Sequence, residues 1–210
     1  LLPIVRLSMT VSVTATVVAG CVGLPLGAAL ALYRFPGRRA VIVAGNALLG
    51  LPPVVVGLAL YLLLSRSGPL GFLGLLFTPA GMIAAQALLA TPIVTVLTYR
   101  GAEAAWAEYG SALLADGATR LRALPHLLAI AKPQVLTALL AGFGRCVSEV
   151  GAIIIVGGNI AGRTRTMTTA IVLETGMGNF DLALGLGLVL VGISVVTSAA
   201  VFWIGERHSD

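Results

Sequence analysis

The run Leu7-Ser8-Met9-Thr10-Val11-Ser12-Val13-Thr14-Ala15-Thr16-Val17-Val18-Ala19-Gly20-Cys21-Val22-Gly23-Leu24-Pro25-Leu26-Gly27-Ala28-Ala29-Leu30-Ala31-Leu32-Tyr33 is 27 residues long without a charged side chain. A helix crossing the hydrocarbon core needs about 20 apolar residues. The run therefore reads as a membrane span, and it is too long for the short apolar segment of a cleavable leader. The composition agrees, with 58% hydrophobic and only 10% charged residues in a chain of 210, against about 25% charged in soluble domains. Thirteen basic and eight acidic side chains cannot shield that much apolar surface from water. The excess must face lipid. Disorder is excluded because it requires low hydrophobicity. The chain begins at Leu1 and not at Met, so further N-terminal residues are expected.

Working outward, charges punctuate the sequence and the gaps between them measure candidate spans. Arg39 to Arg66 leaves 26 uncharged residues, Arg66 to Arg100 leaves 33, and Asp181 to Glu206 leaves 24. The 33-residue gap opens with Gly68, Pro69, Gly71 and Gly74, which mark a loop before the next helix. Five spans are predicted, at about 7–33, 40–65, 80–99, 133–158 and 182–205, making one all-α membrane domain over residues 1–210. Pro52 and Pro53 are expected to kink the second. One orientation places eight basic residues inside, Arg34, Arg38, Arg39, Arg100, Arg120, Arg122, Lys132 and Arg207, and only Arg6, Arg66, Arg163 and Arg165 outside. The positive-inside rule then sets the N-terminus outside and the C-terminus in the cytoplasm.

This topology leaves a cytoplasmic segment at 101–132, too polar to span, which reads as two short helices meeting near Gly117 with a bend at Pro125. It serves either to cover the inner end of the bundle or to dock a soluble partner. Outside, the connection 157–181 holds a Gly-rich turn (Gly157, Gly158, Asn159), a basic Thr-rich segment (Arg163 to Thr166) and a Thr-capped helix running toward Glu174. Glycines four apart, such as Gly23 and Gly27, suit close helix packing. Arg145 and Glu149 lie one helical turn apart within the fourth span. Buried charges in a bilayer face a cavity or a partner, so the pair either fixes helix register or lines a path.

Several kinds of chemistry find no support in the sequence. Cys21 and Cys146 have no Cys or His at a ligand spacing, so neither a disulfide framework nor a metal site is indicated. The one lysine, Lys132, precedes Pro133 and cannot belong to a phosphate-binding G-x-x-x-x-G-K-[ST] loop. No hydrolase motif accompanies His126 and His208, so no catalytic residue is assigned. The positive charge is read by its location along the spans, and nucleic acid is not indicated as a partner.

Taken in order, several segments resemble the transmembrane permease subunits of oxyanion ABC importers. They are Arg34-Phe35-Pro36-Gly37-Arg38, Leu51-Pro52-Pro53-Val54-Val55-Val56-Gly57, Ser67-Gly68-Pro69-Leu70-Gly71, Gly144-Arg145 with Glu149-Val150-Gly151, and Gly158-Asn159-Ile160-Ala161-Gly162-Arg163-Thr164-Arg165-Thr166. Molybdate permeases look similar at these places, whereas the run Met167 to Thr175 looks more like tungstate-type members. That family carries a cytoplasmic E-A-A motif followed, after three residues, by glycine. Gly117 fits this glycine best, with Ser111, Ala112 and Leu113 at the E-A-A positions. The literal Glu103-Ala104-Ala105 has Tyr109 where the glycine belongs, and Ile130 stands where many members have proline.

The resemblance implies a type I importer fold in a bacterial or archaeal cell membrane, with a second copy of the chain bounding the path. It also implies two cytoplasmic ATPase subunits that hold ATP and magnesium, no cofactor in this chain, and an external solute-binding protein. Ala112, Leu113, Asp116, Gly117 and Arg120 are the expected ATPase-coupling residues, and Asn159, Arg163 and Arg165 the expected docking residues for the binding protein. Tungstate or a related oxyanion is the implied cargo, with molybdate or sulfate as the alternative. From another class, an ion-gradient-driven transporter or channel would carry more ionisable residues inside its spans, and a multipass membrane enzyme is a third reading.

Overall fold

The structure is a computed structural model that describes residues 1–206; Arg207 and His208 lie outside the described residues. It is built of nine α-helices among those residues: α1 (Leu2–Leu32), α2 (Arg38–Leu49), α3 (Pro53–Leu64), α4 (Pro79–Ala115), α5 (Arg120–Ile130), α6 (Lys132–Val147), α7 (Gly151–Gly157), α8 (Met167–Gly176) and α9 (Phe180–Glu206). Three are long and apolar enough to cross a bilayer unaided, namely α1, α4 and Phe180–Ala199 of α9. Two bent pairs complete the set, α2 with α3 at 102° and α5 with α6 at 76°, so the count is three, or up to five if each pair is one span.

The parallel pair α1 and α4 forms the centre, and glycines set its spacing. A Cβ on Gly27 would lie 2.5 Å from the carbonyl oxygen of Thr95, and one on Gly23 would lie 2.9 Å from Val94. The Gly23–Gly27 spacing thus does what small residues do in membrane bundles, letting backbones touch. Around it gather Ala15, Ala19, Ala87, Ala90, Val94, Ala138 and Cys146, all buried. Much of α3 and α9 is apolar and exposed, including Val54, Val55, Leu58, Leu184, Leu188 and Val195. Exposed apolar surface on this scale has to be covered by lipid or another chain.

Four expectations need correction. The third helix does not end near Tyr99 but continues unbroken to Ala115, because Glu103, Glu108 and the alanines between them are good helix formers. The first of the two short helices expected in 101–132 is therefore the end of α4. The second span is interrupted at Gly50 to Pro52, not merely kinked, since Pro53 has no N–H and holds Pro52 before it in the extended conformation. Pro125 lies inside α5, and the bend falls instead at Ala131, ahead of Pro133. The fourth span is likewise not continuous: α6 ends at Val147 and α7 starts at Gly151.

Candidate functional site

The two interrupted spans meet. A Cβ on Gly57 would lie 2.7 Å from Cα of Ala152, and one on Gly151 would lie 2.7 Å from the Val54 side chain. The first turns of α3 and α7 therefore sit side by side, each just past its own break. At such a break backbone groups lose their helical partners, and inside a membrane they must be satisfied by protein or by a water-filled cavity. Here protein satisfies several of them. The Cys146 carbonyl accepts from Gln86 Nε2 at 2.7 Å, and the Glu149 carbonyl accepts from the Thr168 hydroxyl at 2.8 Å. Glu149 Oε1 accepts from the backbone N–H of Ala152 at 2.9 Å, which caps α7 with a negative charge at its positive end.

Arg145 does pair with Glu149, through Nη1 to Oε2. The geometry is not that of two side chains on one helix face, because Glu149 lies beyond the end of α6. The carboxylate is 2% exposed and the guanidinium 26%. One oxygen of Glu149 thus closes the break and the other holds an arginine whose far side stays open. Ser148, between them, is exposed and donates to the carbonyl of Gly144 at 2.8 Å.

At the other candidate site, α4 ends in a tight reversal. The N–H of Gly117 donates to the Leu114 carbonyl and that of Ala118 to the Leu113 carbonyl, both at 3.1 Å. This is the 6→1 and 5→2 pattern that ends helices with a left-handed residue. Gly117 supplies it at φ 80°, and the Thr119 hydroxyl then accepts from the N–H of Arg122 to start α5. Ala112, Asp116, Gly117 and Arg120 are exposed at this tip. Leu113 is not, since it packs inward against the cluster of Ala28, Leu32, Tyr99, Ala102 and Leu127. Leu114 and Leu121, 46% and 69% exposed, offer the apolar surface instead. The helical period of α4, with Tyr99, Ala102 and Ala105 inward, was the available signal for that assignment.

Glu103 is engaged in the bundle. It accepts from Arg38 Nη2 at 2.8 Å and from the Tyr99 hydroxyl at 2.6 Å. Arg38 Nε also donates to the Leu30 carbonyl at 2.7 Å. This clasp ties the α1–α2 elbow to the shaft of α4.

At the opposite end, the three expected docking residues part company. Asn159 adopts φ 49° and donates through Nδ2 to the Thr169 carbonyl, which ties it into the turn. Thr164 is fully buried, accepting from the N–H of Ile160 and donating to the Gly157 carbonyl. Arg163 is exposed, whereas Arg165 is half-buried. The expected Thr cap is present: Thr166 and Thr169 form a reciprocal capping box that starts α8. Ser8 of α1 accepts from the N–H of Met167 at 2.7 Å.

Comparison with known proteins agrees with this architecture. The chain is 39% identical over 204 residues to a tungstate uptake system permease protein of Peptoclostridium acidaminophilum, covering 97% of this chain and 90% of that one. It is 37% identical over 215 residues to a probable anion ABC transporter permease protein of Haloferax volcanii, covering 100% and 91%. A putative molybdenum transport system permease protein of Bacillus subtilis is 30% identical over 98% of this chain and 92% of its own. Residues 23–209 match the family described as binding-protein-dependent transport system inner membrane component. An apolar helical bundle with interrupted spans, matched to that family over most of its length, belongs to it: the chain is a multi-pass membrane permease of the binding-protein-dependent transport systems.

Proposed function

We propose that the chain is the membrane-spanning subunit of an ATP-driven importer for tungstate or a closely related oxyanion. Two copies would bound the path, two ATPase subunits would dock at the exposed tip around Gly117, and a solute-binding protein would deliver cargo at the opposite end. The observation that carries the reading is the full-length similarity to a tungstate uptake permease. The protruding tip, with Leu114 and Leu121 exposed beside Asp116 and Arg120, supports it as a surface for a soluble partner. ATPase binding would drive the cycle by favouring one permease conformation over another. Molybdate is the second reading, favoured by the more distant molybdenum permease relative.

Arg145 and Glu149 would sit where the path narrows. The geometry favours a chiefly structural role for Glu149, while the open side of Arg145 would present positive potential to a passing dianion. Reconstitution with the partner ATPase and binding protein in proteoliposomes tests the reading. ATP-dependent uptake of tungstate, with molybdate and sulfate as competitors, is the expected result. Uptake driven by an ion gradient without the ATPase would replace it with a secondary transporter.

A further inference from the structure

At the end of α1 opposite the Gly117 tip lies a half-open cavity of about 490 Å³, whose lining includes Arg6, Thr10, Arg163 and Arg165 beside Leu2 and Leu7. No acidic side chain lines it, and none of its three arginines belongs to either of the ion pairs among the described residues, Arg38–Glu103 and Arg145–Glu149. Three like charges around one cavity repel each other unless an anion joins them. Arg165 adds to the cost, because its Nε is buried without a hydrogen-bond partner, and a partly desolvated cation lacking a counter-charge is unfavourable.

The cavity is also apolar in part, and what lies next to it decides the ligand. Following Arg6 at helical spacing, Thr10, Val13 and Val17 are all exposed along one face of α1, the two valines at 49% and 58%. A strip of open apolar helix thus leads from the arginines into the span. A free oxyanion would satisfy the arginines without using the apolar strip beside them. An acidic loop of a soluble protein would reach Arg163 but not Val17. A molecule with an anionic head and an apolar tail matches both parts.

We propose that Arg6, Arg163 and Arg165 bind the phosphodiester head group of an anionic phospholipid whose acyl chain lies along the Thr10–Val13–Val17 face of α1. Arginine suits the task because its planar donors engage phosphate oxygens in pairs. The site ties α1 to the 160s turn, which the Ser8–Met167 bond already joins at one point. The proposal does not depend on which anion is transported.

Native mass spectrometry of the full-length protein, titrated with dioctanoyl phosphatidylglycerol, tests it. One retained lipid per chain is expected, with affinity about tenfold lower in Arg6→Gln and in Arg163→Gln, a loss of the order expected for one bidentate charge-assisted contact. Arg66→Gln, an exposed arginine outside the cavity, should bind as the parent does. Arg6→Lys should fall between, having the charge without the fork. Dioctanoylglycerol, which lacks the phosphate, should not be retained, and inorganic phosphate or tungstate alone should bind far more weakly than the lipid. Equal retention of the phospholipid by the parent and Arg6→Gln would overturn the proposal. Tight binding of tungstate alone, lost in Arg6→Gln, would make the cavity a free-oxyanion site instead.

Discussion

At the scale of single residues, Glu149 is held at three points. It closes the turn into α7, holds Arg145, and offers its carbonyl to Thr168. Removing one member of a buried pair leaves the other uncompensated and costs about 3–5 kcal/mol. Glu149→Ala should therefore be the most destabilising change at this site, because it also frees the Ala152 N–H. Arg145→Ala should cost less, since the Glu149 carboxylate it leaves behind is still bonded to Ala152 and no backbone donor is freed. Thermal unfolding in one lipid, followed for both single variants and the double, measures the order. If the double variant is more stable than Glu149→Ala and regains uptake, the pair is structural; if it is as stable but does not transport, Arg145 acts on the cargo. A smaller loss, about 1 kcal/mol, is expected for Thr168→Val, and a neutral result there would remove Thr168 from the support of the break.

Among the helices, the tip between α4 and α5 makes the sharpest demand on sequence. Gly117 sits at φ 80° with open space around it, so a side chain would meet strain and not a clash. Gly117→Val should destabilise the reversal by about 1–2 kcal/mol and reduce ATPase stimulation by displacing Thr119 and Arg120. Leu121→Asp separates docking from folding: at 69% exposure it should leave thermal stability unchanged and weaken ATPase binding in a pull-down of the assembled complex. Undiminished binding by Leu121→Asp would move the docking surface away from this face. The glycine itself was legible from sequence, because little else permits a left-handed reversal. Which neighbours face outward was legible only from the helical period carried on from Tyr99, Ala102 and Ala105, which the motif register ignored in singling out Leu113, a side chain packed inward against the cluster of Leu32 and Leu127. The breaks were only half legible. Pro52-Pro53 announces one, whereas nothing apolar in Val147 to Gly151 distinguishes an interruption from a continuous helix until Glu149 is seen capping the next one.

Across the whole molecule, breaks divide two stretches of helix into paired parts, α2 from α3 and α6 from α7. The parts after the breaks, α3 and α7, touch backbone to backbone through Gly57 and Ala152. Of the parts before the breaks, α2 has no buried residue and lies over an apolar cavity of about 240 Å³ that Ile42, Gly45, Pro92 and Val96 help to line. Its polar anchors are Arg38, tied to Leu30 and Glu103, and Asn46, which accepts from Arg100. A tightly joined α3–α7 pair and a loosely seated α2, separated by a break, form an arrangement in which α2 can shift without unpacking α3 and α7. If the breaks also border the path, exposed positions beside them are wet while equally exposed positions on α9 face lipid. Single cysteines at Gly50, Ser148 and Val191, placed in a background lacking Cys21 and Cys146, test this with a membrane-impermeant maleimide applied to open membranes. Gly50→Cys and Ser148→Cys should label, and Val191→Cys, on a helix whose apolar residues are largely exposed, should not. Adding ATP with the partner subunits should change the labelling at Gly50 more than at Ser148, because the hinge frees α2 first. Silence at both break positions would mean that the interruptions serve packing alone and that the anion crosses elsewhere.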